Sequence, residues 1–122
     1  MSNAAQAYAR VAQTTSSPRE MEAQALLKAA NKLQDVLTNE DRTGERTNHA
    51  LLFNRRLWSI FVSAALGDEN PQALAIRQNI ANIGIFVLTQ TAALQINPQR
   101  DKFRSLIEIN RNLAAGLSGS AA

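Results

Sequence analysis

The sequence predicts an all-α fold, a compact helical bundle of about five helices with a weakly docked N-terminal helix. Three observations carry this. Apolar residues recur at spacings of three and four along most of the chain, which gathers them on one face of a helix, and no segment shows the alternation of a half-buried strand. Helix start and stop signals punctuate the chain at intervals that suit helices. Nothing but a packed core is available to hold the 122 residues together, because there is no cysteine and a single histidine cannot make a usual zinc or haem site. A chain of this length reads as one domain, 1–122, and buries roughly two thirds of its unfolded surface without staples.

The first helix is expected over 4–13, where Ala4, Tyr8 and Val11 form its only apolar stripe. It is too short to be stable alone, so residues 1–16 either dock weakly or move. The second, over 18–37, opens on "SSPRE": Ser17 as cap, Pro18 at the first helical position and Glu20 three residues after the cap form a capping box. Its seam is Ala23, Leu26, Ala30, Leu33 and Leu37, with Gln24, Lys28, Asn31 and Asp35 facing away, as in a surface helix of a bundle. "TNEDRTGERT" at 38–47 is the best loop.

The third helix, over 46–66, has an apolar sector of Phe53, Leu57, Trp58, Ile60, Phe61 and Ala64 with Asn54 near its middle; Arg55 and Arg56 project elsewhere. "GDENP" is read as a glycine stop with Asn70-Pro71 starting the fourth helix, over 71–96. That helix has two adjacent stripes, Ile76, Ile80, Ile83, Val87 and Leu94 beside Ala81, Ile85, Leu88 and Ala92. Gly84 and Thr91 lie between them, where small size allows close approach. So wide a sector predicts the central helix. "INPQRD" repeats the start signal for a fifth helix over 98–116, whose face of Phe103, Leu106, Ile107, Leu113, Ala114 and Leu117 has Asn110 at its centre. The tail 118–122 is expected to fray.

"FNRRL" at 53–57 and "INRNL" at 109–113 thus place an asparagine inward and an arginine outward twice. A buried amide without partners costs about 1–3 kcal/mol. Asn54 and Asn110 are therefore expected to bond to each other or to a helix end and fix helix register; the competing reading puts them on the floor of a binding groove.

The formal charge of +3 lies wholly in residues 51–122, a mild bias far from a nucleic-acid tail. No signal peptide is read at the N-terminus, and the longest apolar run, "IGIFVL", is too short to span a bilayer, so a cytoplasmic domain without membrane insertion is expected. No phosphate loop, H-E-x-x-H or G-x-S-x-G occurs, His49 has no carboxylate at helical spacing, and Asp68-Glu69 suit a helix start; no enzyme, metal or cofactor is expected. Arg100, Arg104 and Arg111 align on the last helix, and Arg55 and Arg56 could extend the patch. Glu108 interrupts it and few aromatics can stack, so RNA is not the expected partner.

The candidate partner-binding residues are Asn79, Asn82, Phe86 and Gln90 on the fourth helix, with Tyr8 on a covering N-terminal segment. An aromatic ringed by amides has the composition of a partner anchor. The bland account, Phe86 packed beneath the N-terminal segment, is compatible if that segment can be displaced.

Four stretches taken together, "SPREMEAQALLKAA" at 17–30, "FNRRLWSI" at 53–60, "IRQNIANIGIFVL" at 76–88 and "INRNLAAGL" at 109–117, resemble the FlaF family of flagellar biosynthesis regulators from alphaproteobacteria. "AAQAY" at 4–8 fits as well, and the loop at 38–48 matches nothing. The resemblance implies a non-enzymatic cytoplasmic protein that binds flagellin before secretion, couples flagellin synthesis to assembly and works beside the regulator FlbT. It transfers no binding residue. The expected function is accordingly a flagellin-binding secretion chaperone or regulator that holds an amphipathic terminal helix of flagellin. The alternative is a post-transcriptional regulator acting on flagellin messenger RNA, directly or through a protein partner; a purely structural subunit would bind neither.

Overall fold

The computed structural model describes residues 18–119, and in them the helical periodicity resolves into four helices: α1 (Pro18–Thr38), α2 (Glu45–Leu66), α3 (Leu74–Ile96) and α4 (Arg100–Leu117). No strand occurs among the described residues. Four helices stand where about five were expected; the remaining one, over 4–13 with Tyr8, lies outside the described residues, as does Ser17 of the capping box.

Short connections force consecutive helices to run antiparallel, and the four arrange as two close pairs. α1 lies along α4, α2 along α3, α1 bridges to α2, and α3 touches α4 only lightly. The α1 seam is buried through Ala23, Leu26, Ala30 and Leu33 as expected, with Ala29 and Val36 added and Leu37 only half-buried, against Phe103, Leu106 and Ile107 of α4.

α3 is not the central helix. Its buried positions are Ala81, Gly84, Val87, Thr91 and Leu94, a narrow stripe against α2, while Ile76, Ile83, Ile85 and Phe86 are exposed. The smallest residues draw the two backbones together: a Cβ added at Gly84 would stand 2.2 Å from Val62 Cγ2. Close approach there pushes the large aliphatics of α3 to its flanks. The centre belongs to α2, where Leu51, Asn54 and Trp58 are fully buried; Ile60, expected in the apolar sector, points to solvent. By length and composition α3 is the one described helix that could cross a membrane. Its small face is nevertheless spent on α2, and amides stud the rest.

Both proline signals mark the connection rather than the helix. Asn70 accepts from the Gln72 amide (2.8 Å) and donates through Nδ2 to the Ala64 carbonyl (2.9 Å), so it closes an Asx-type turn and α3 starts three residues after Pro71. Asn97 donates its amide to the Ala93 carbonyl (2.9 Å), which ends α3, and α4 begins at Arg100. Two arginines in these first turns close the preceding helices. Arg77 donates to the Ala65 and Gly67 carbonyls (2.8 and 2.9 Å) at the end of α2, and Arg100 donates to the Leu37 carbonyl at the end of α1. Carbonyls at a helix C-terminus lack intrahelical donors and attract cations. At the start of α2, Gly44 holds φ 77°, and Asp41 accepts from both the amide and the hydroxyl of Thr47 (2.7 Å each), which keeps its carboxyl below the usual carboxylate range.

The core contains one polar chain. Trp58 Nε1 donates to Asn110 Oδ1 (2.8 Å), Asn110 Nδ2 to Asn54 Oδ1 (2.8 Å), Asn54 Nδ2 to Thr91 Oγ1 (3.1 Å), and Thr91 Oγ1 to the Val87 carbonyl (2.6 Å). All four side chains are fully buried, and among the described residues no buried side-chain polar atom lacks a partner. The Asn-Arg echo is thereby explained: the asparagines join α2 to α4 and α2 to α3, and the arginines after them, Arg55 and Arg111, are exposed. A slip of one turn in any of these helices would orphan a buried amide, at about 1–3 kcal/mol per group.

Candidate functional site

Where the polar chain draws α2, α3 and α4 together the bundle is closed; on the far side of α3 it is not. α3 turns Ile83 and Phe86 toward α4, and α4 answers with Ile109 and Leu113. The two helices stay far enough apart to leave an open groove of about 580 Å3 lined by these four and by Asn82 and Asn112. Phe86 is 48% exposed there, a large aromatic surface without a full complement of neighbours. The floor is aliphatic and the rim carries amides.

The groove continues toward the end of the bundle at which α1 and α3 begin and α2 and α4 finish. A second cleft of about 400 Å3 opens there between Pro18, Phe61, Ala64, Ile80 and Leu117, and it shares Leu113 with the first. The second cleft is walled mainly by α1, α2 and the α2–α3 connection, with Arg19 and Glu22 at its edge, and it adjoins the α3–α4 groove at Leu113. Helical periodicity produces the walls of the groove: Ile76, Ile80 and Ile83 on α3 and Ile109, Leu113 and Leu117 on α4 recur at three and four, so each helix offers a continuous ridge. No lysine, aspartate or glutamate lines the groove between α3 and α4. Such a surface matches the apolar face of an amphipathic helix, with amides at the rim to bond its polar flank.

Of the expected binding residues, Asn82 and Phe86 come together in the groove. Asn79 is exposed and Gln90 half-buried on the same flank of α3, outside the lining. Tyr8 lies outside the described residues. The α4 half, Ile109, Asn112 and Leu113, is what sequence reasoning missed, because Leu113 was assigned to the core. A signal for it existed in "INRNL": Asn112 lies two residues beyond the inward Asn110 and so must point away from it.

The arginine ridge is weaker than its sequence. Arg100 is committed to the end of α1 and Arg55 donates to Gln95 Oε1 (3.3 Å), which leaves Arg56, Arg104 and Arg111 exposed, the last two with Glu108 between them. His49 lies exposed in the first turns of α2. No group of three His, Asp or Glu able to hold a metal occurs among the described residues.

Comparison with known families matches a family model described as flagellar protein FlaF over residues 4–117. Neither the curated proteins nor the solved structures yield a match.

Proposed function

Because the chain belongs to the FlaF family of flagellar proteins, we propose that it is a cytoplasmic flagellin-binding secretion chaperone and regulator that receives an amphipathic terminal helix of flagellin in the α3–α4 groove. The observation that carries this reading is the groove itself: an aliphatic floor, an exposed aromatic and an amide rim where a four-helix bundle leaves one seam open. Flagellin polymerises through its helical ends. A helix laid into the seam hides the apolar face it needs for self-assembly and leaves the chain exportable.

Phe86 acts as the anchor, buried between the incoming helix and Ile109; Asn82 and Asn112 bond its polar edge. The ridge beyond Leu113 toward Leu117 gives length rather than chemistry. Because the groove is open along its side, release needs no unfolding of the bundle, which suits a chaperone that must hand over its cargo. FlbT is a second partner in this reading, coupling occupancy to flagellin synthesis.

The test mixes the protein with monomeric flagellin, intact or lacking its C-terminal helical segment, on a sizing column with light scattering. A discrete complex with intact flagellin, abolished by the truncation, is the expected result. A complex with both forms moves the epitope elsewhere on flagellin. No complex with either removes direct capture and leaves the messenger RNA reading, for which Arg104→Glu with Arg111→Glu is the decisive variant.

A further inference from the structure

The end of the bundle at which α1 begins is left open. Phe61, Ile80, Leu113 and Leu117 converge there from α2, α3 and α4, and each is only half-buried, because together they wall the cleft of about 400 Å3. Phe61 meets the Trp58 ring edge to face, with centroids 5.5 Å apart, so the cleft lies one ring away from the buried centre of the core. Ile76, one turn before Ile80 on α3, is a further apolar side chain on the same ridge, 49% exposed. Packed interiors hold few voids larger than a water molecule. A cleft of this size with aromatic and aliphatic walls lacks the side chains that would fill it.

The chain has them close at hand. Pro18 and Glu22 of α1 stand in the wall of the cleft, so residues 1–17 join the described fold at its rim. Five alanines in 4–13 favour a helix, and its stripe of Ala4, Tyr8 and Val11 is apolar but too short to be stable without a surface to cover. The hydroxyl residues Thr14, Thr15, Ser16 and Ser17 favour a turn and together reach at most ~14 Å, enough to reverse the chain across the rim from which it starts. Glu22 is half-buried and makes no hydrogen bond or ion pair among the described residues, and Arg10, the one charged side chain in 1–17, has the complementary sign. The FlaF family match starts at residue 4, so the segment belongs to the unit that the family model describes.

We infer that residues 4–13 dock in this cleft of their own chain, with Tyr8 and Val11 set against Phe61 and Ile80, and so complete the bundle at its open end. The seat is the end cleft and not the surface of Phe86: Pro18 lines the former, whereas no α1 residue lines the α3–α4 groove. Leu113 belongs to both. A docked segment therefore stops the groove at Leu113, and a partner helix long enough to run on toward Leu117 has to displace it. This competition rests on the proposed flagellin-binding groove; the docking itself does not.

The chain has no cysteine, so Gln6→Cys, on the side of the segment away from Tyr8, gives the full chain a single nitroxide label. Paramagnetic broadening of amide signals should be strong at Ala64, Ile80 and Leu113 and absent at the other end of the bundle, around Thr38, Glu45 and Ile96. Adding Tyr8→Asp and Val11→Asp should lower the docked-to-free ratio by at least about 10-fold and remove the localised effect. Broadening no stronger at the cleft than at the far end overturns the inference. So does broadening that centres on Asn82, Phe86 and Asn112, or that survives the double substitution. Mixing labelled chain with isotopically enriched, unlabelled chain tests the other source of the segment: broadening of the enriched chain at its cleft would assign the site to a second copy and exclude docking within one chain. Flagellin enters only in a separate titration with a peptide of its C-terminal helix, which the Tyr8→Asp, Val11→Asp chain should bind more tightly than wild type. Equal affinity would remove the competition, and binding to neither would remove the groove reading; both would leave the docking standing.

Discussion

The two seams that share α3 are built on opposite principles. Against α2 the helix presents Gly84 and Thr91, small enough for backbone approach, and the seam is closed by a buried hydrogen bond and by Arg77 clamped on the end of α2. Against α4 the same helix presents Ile83 and Phe86, whose bulk holds α4 off and leaves the groove. Periodicity alone divides the helix: its small side is spent on the scaffold and its large side is left open, the side that the proposed function gives to a partner. Bulk on the α2 side would strain the fold. Truncation on the α4 side should leave the fold intact and remove binding.

The sharpest way to break the closed side is Asn110→Leu, which leaves the Trp58 indole N–H and the Asn54 carbonyl oxygen without partners; a loss of about 3 kcal/mol in denaturant melts is expected. Unchanged stability with loss of flagellin binding would instead move Asn110 into the site. Arg77→Ala should cost about 1–2 kcal/mol by freeing two carbonyls at the end of α2, read by the same melts. Gly84→Ala should cost about 1 kcal/mol net, an overpacking penalty partly offset by the better helix propensity of alanine. Adding Val62→Ala removes the clashing methyl and should turn that loss into a gain. On the open side, Phe86→Ala should change stability by under about 0.5 kcal/mol while weakening flagellin binding at least about 30-fold. The smallest effect belongs to neither seam. Asp41 has a depressed pKa, so its cap contributes fully above the ordinary carboxylate value and is lost as pH falls through the lower folded value. The stability difference between wild type and Asp41→Asn should therefore be constant near neutrality and shrink only as pH falls below the ordinary carboxylate value, read by denaturant melts at a series of pH values.

Much of the closed side could be read from residues in a line. A polar residue inside an apolar sector must be satisfied, and two of them echoing each other made an Asn54–Asn110 bond the simplest solution, which the fold adopts. Thr91 was read only as a small spacer; its hydroxyl proves to be the next link of the chain, something a helical wheel cannot reveal because it shows direction and not the group opposite. The same blindness produced the central-helix expectation for α3. A wide apolar sector states how much surface wants cover, not how much receives it, and here about half goes uncovered. Pro71 and Pro98 were placed inside helices because Asn-Pro so often starts one; the turn bonds of Asn70 and the closing bond of Asn97 used those residues differently. For the groove, Phe86 and Asn82 stood out by chemistry, whereas Ile109 and Leu113 look like any core aliphatics until the spacing of α3 and α4 is known.

Capture of a partner helix by the α3–α4 groove is the central claim, and an NMR titration of labelled protein with a peptide of flagellin's C-terminal amphipathic helix tests it most directly. Shifts confined to Asn82, Ile83, Phe86, Ile109, Asn112 and Leu113, tapering toward Leu117, are the predicted result. Saturable binding that instead perturbs the exposed face of α1 around Gln24, Lys28 and Asn31, and leaves Phe86 unmoved, would contradict it.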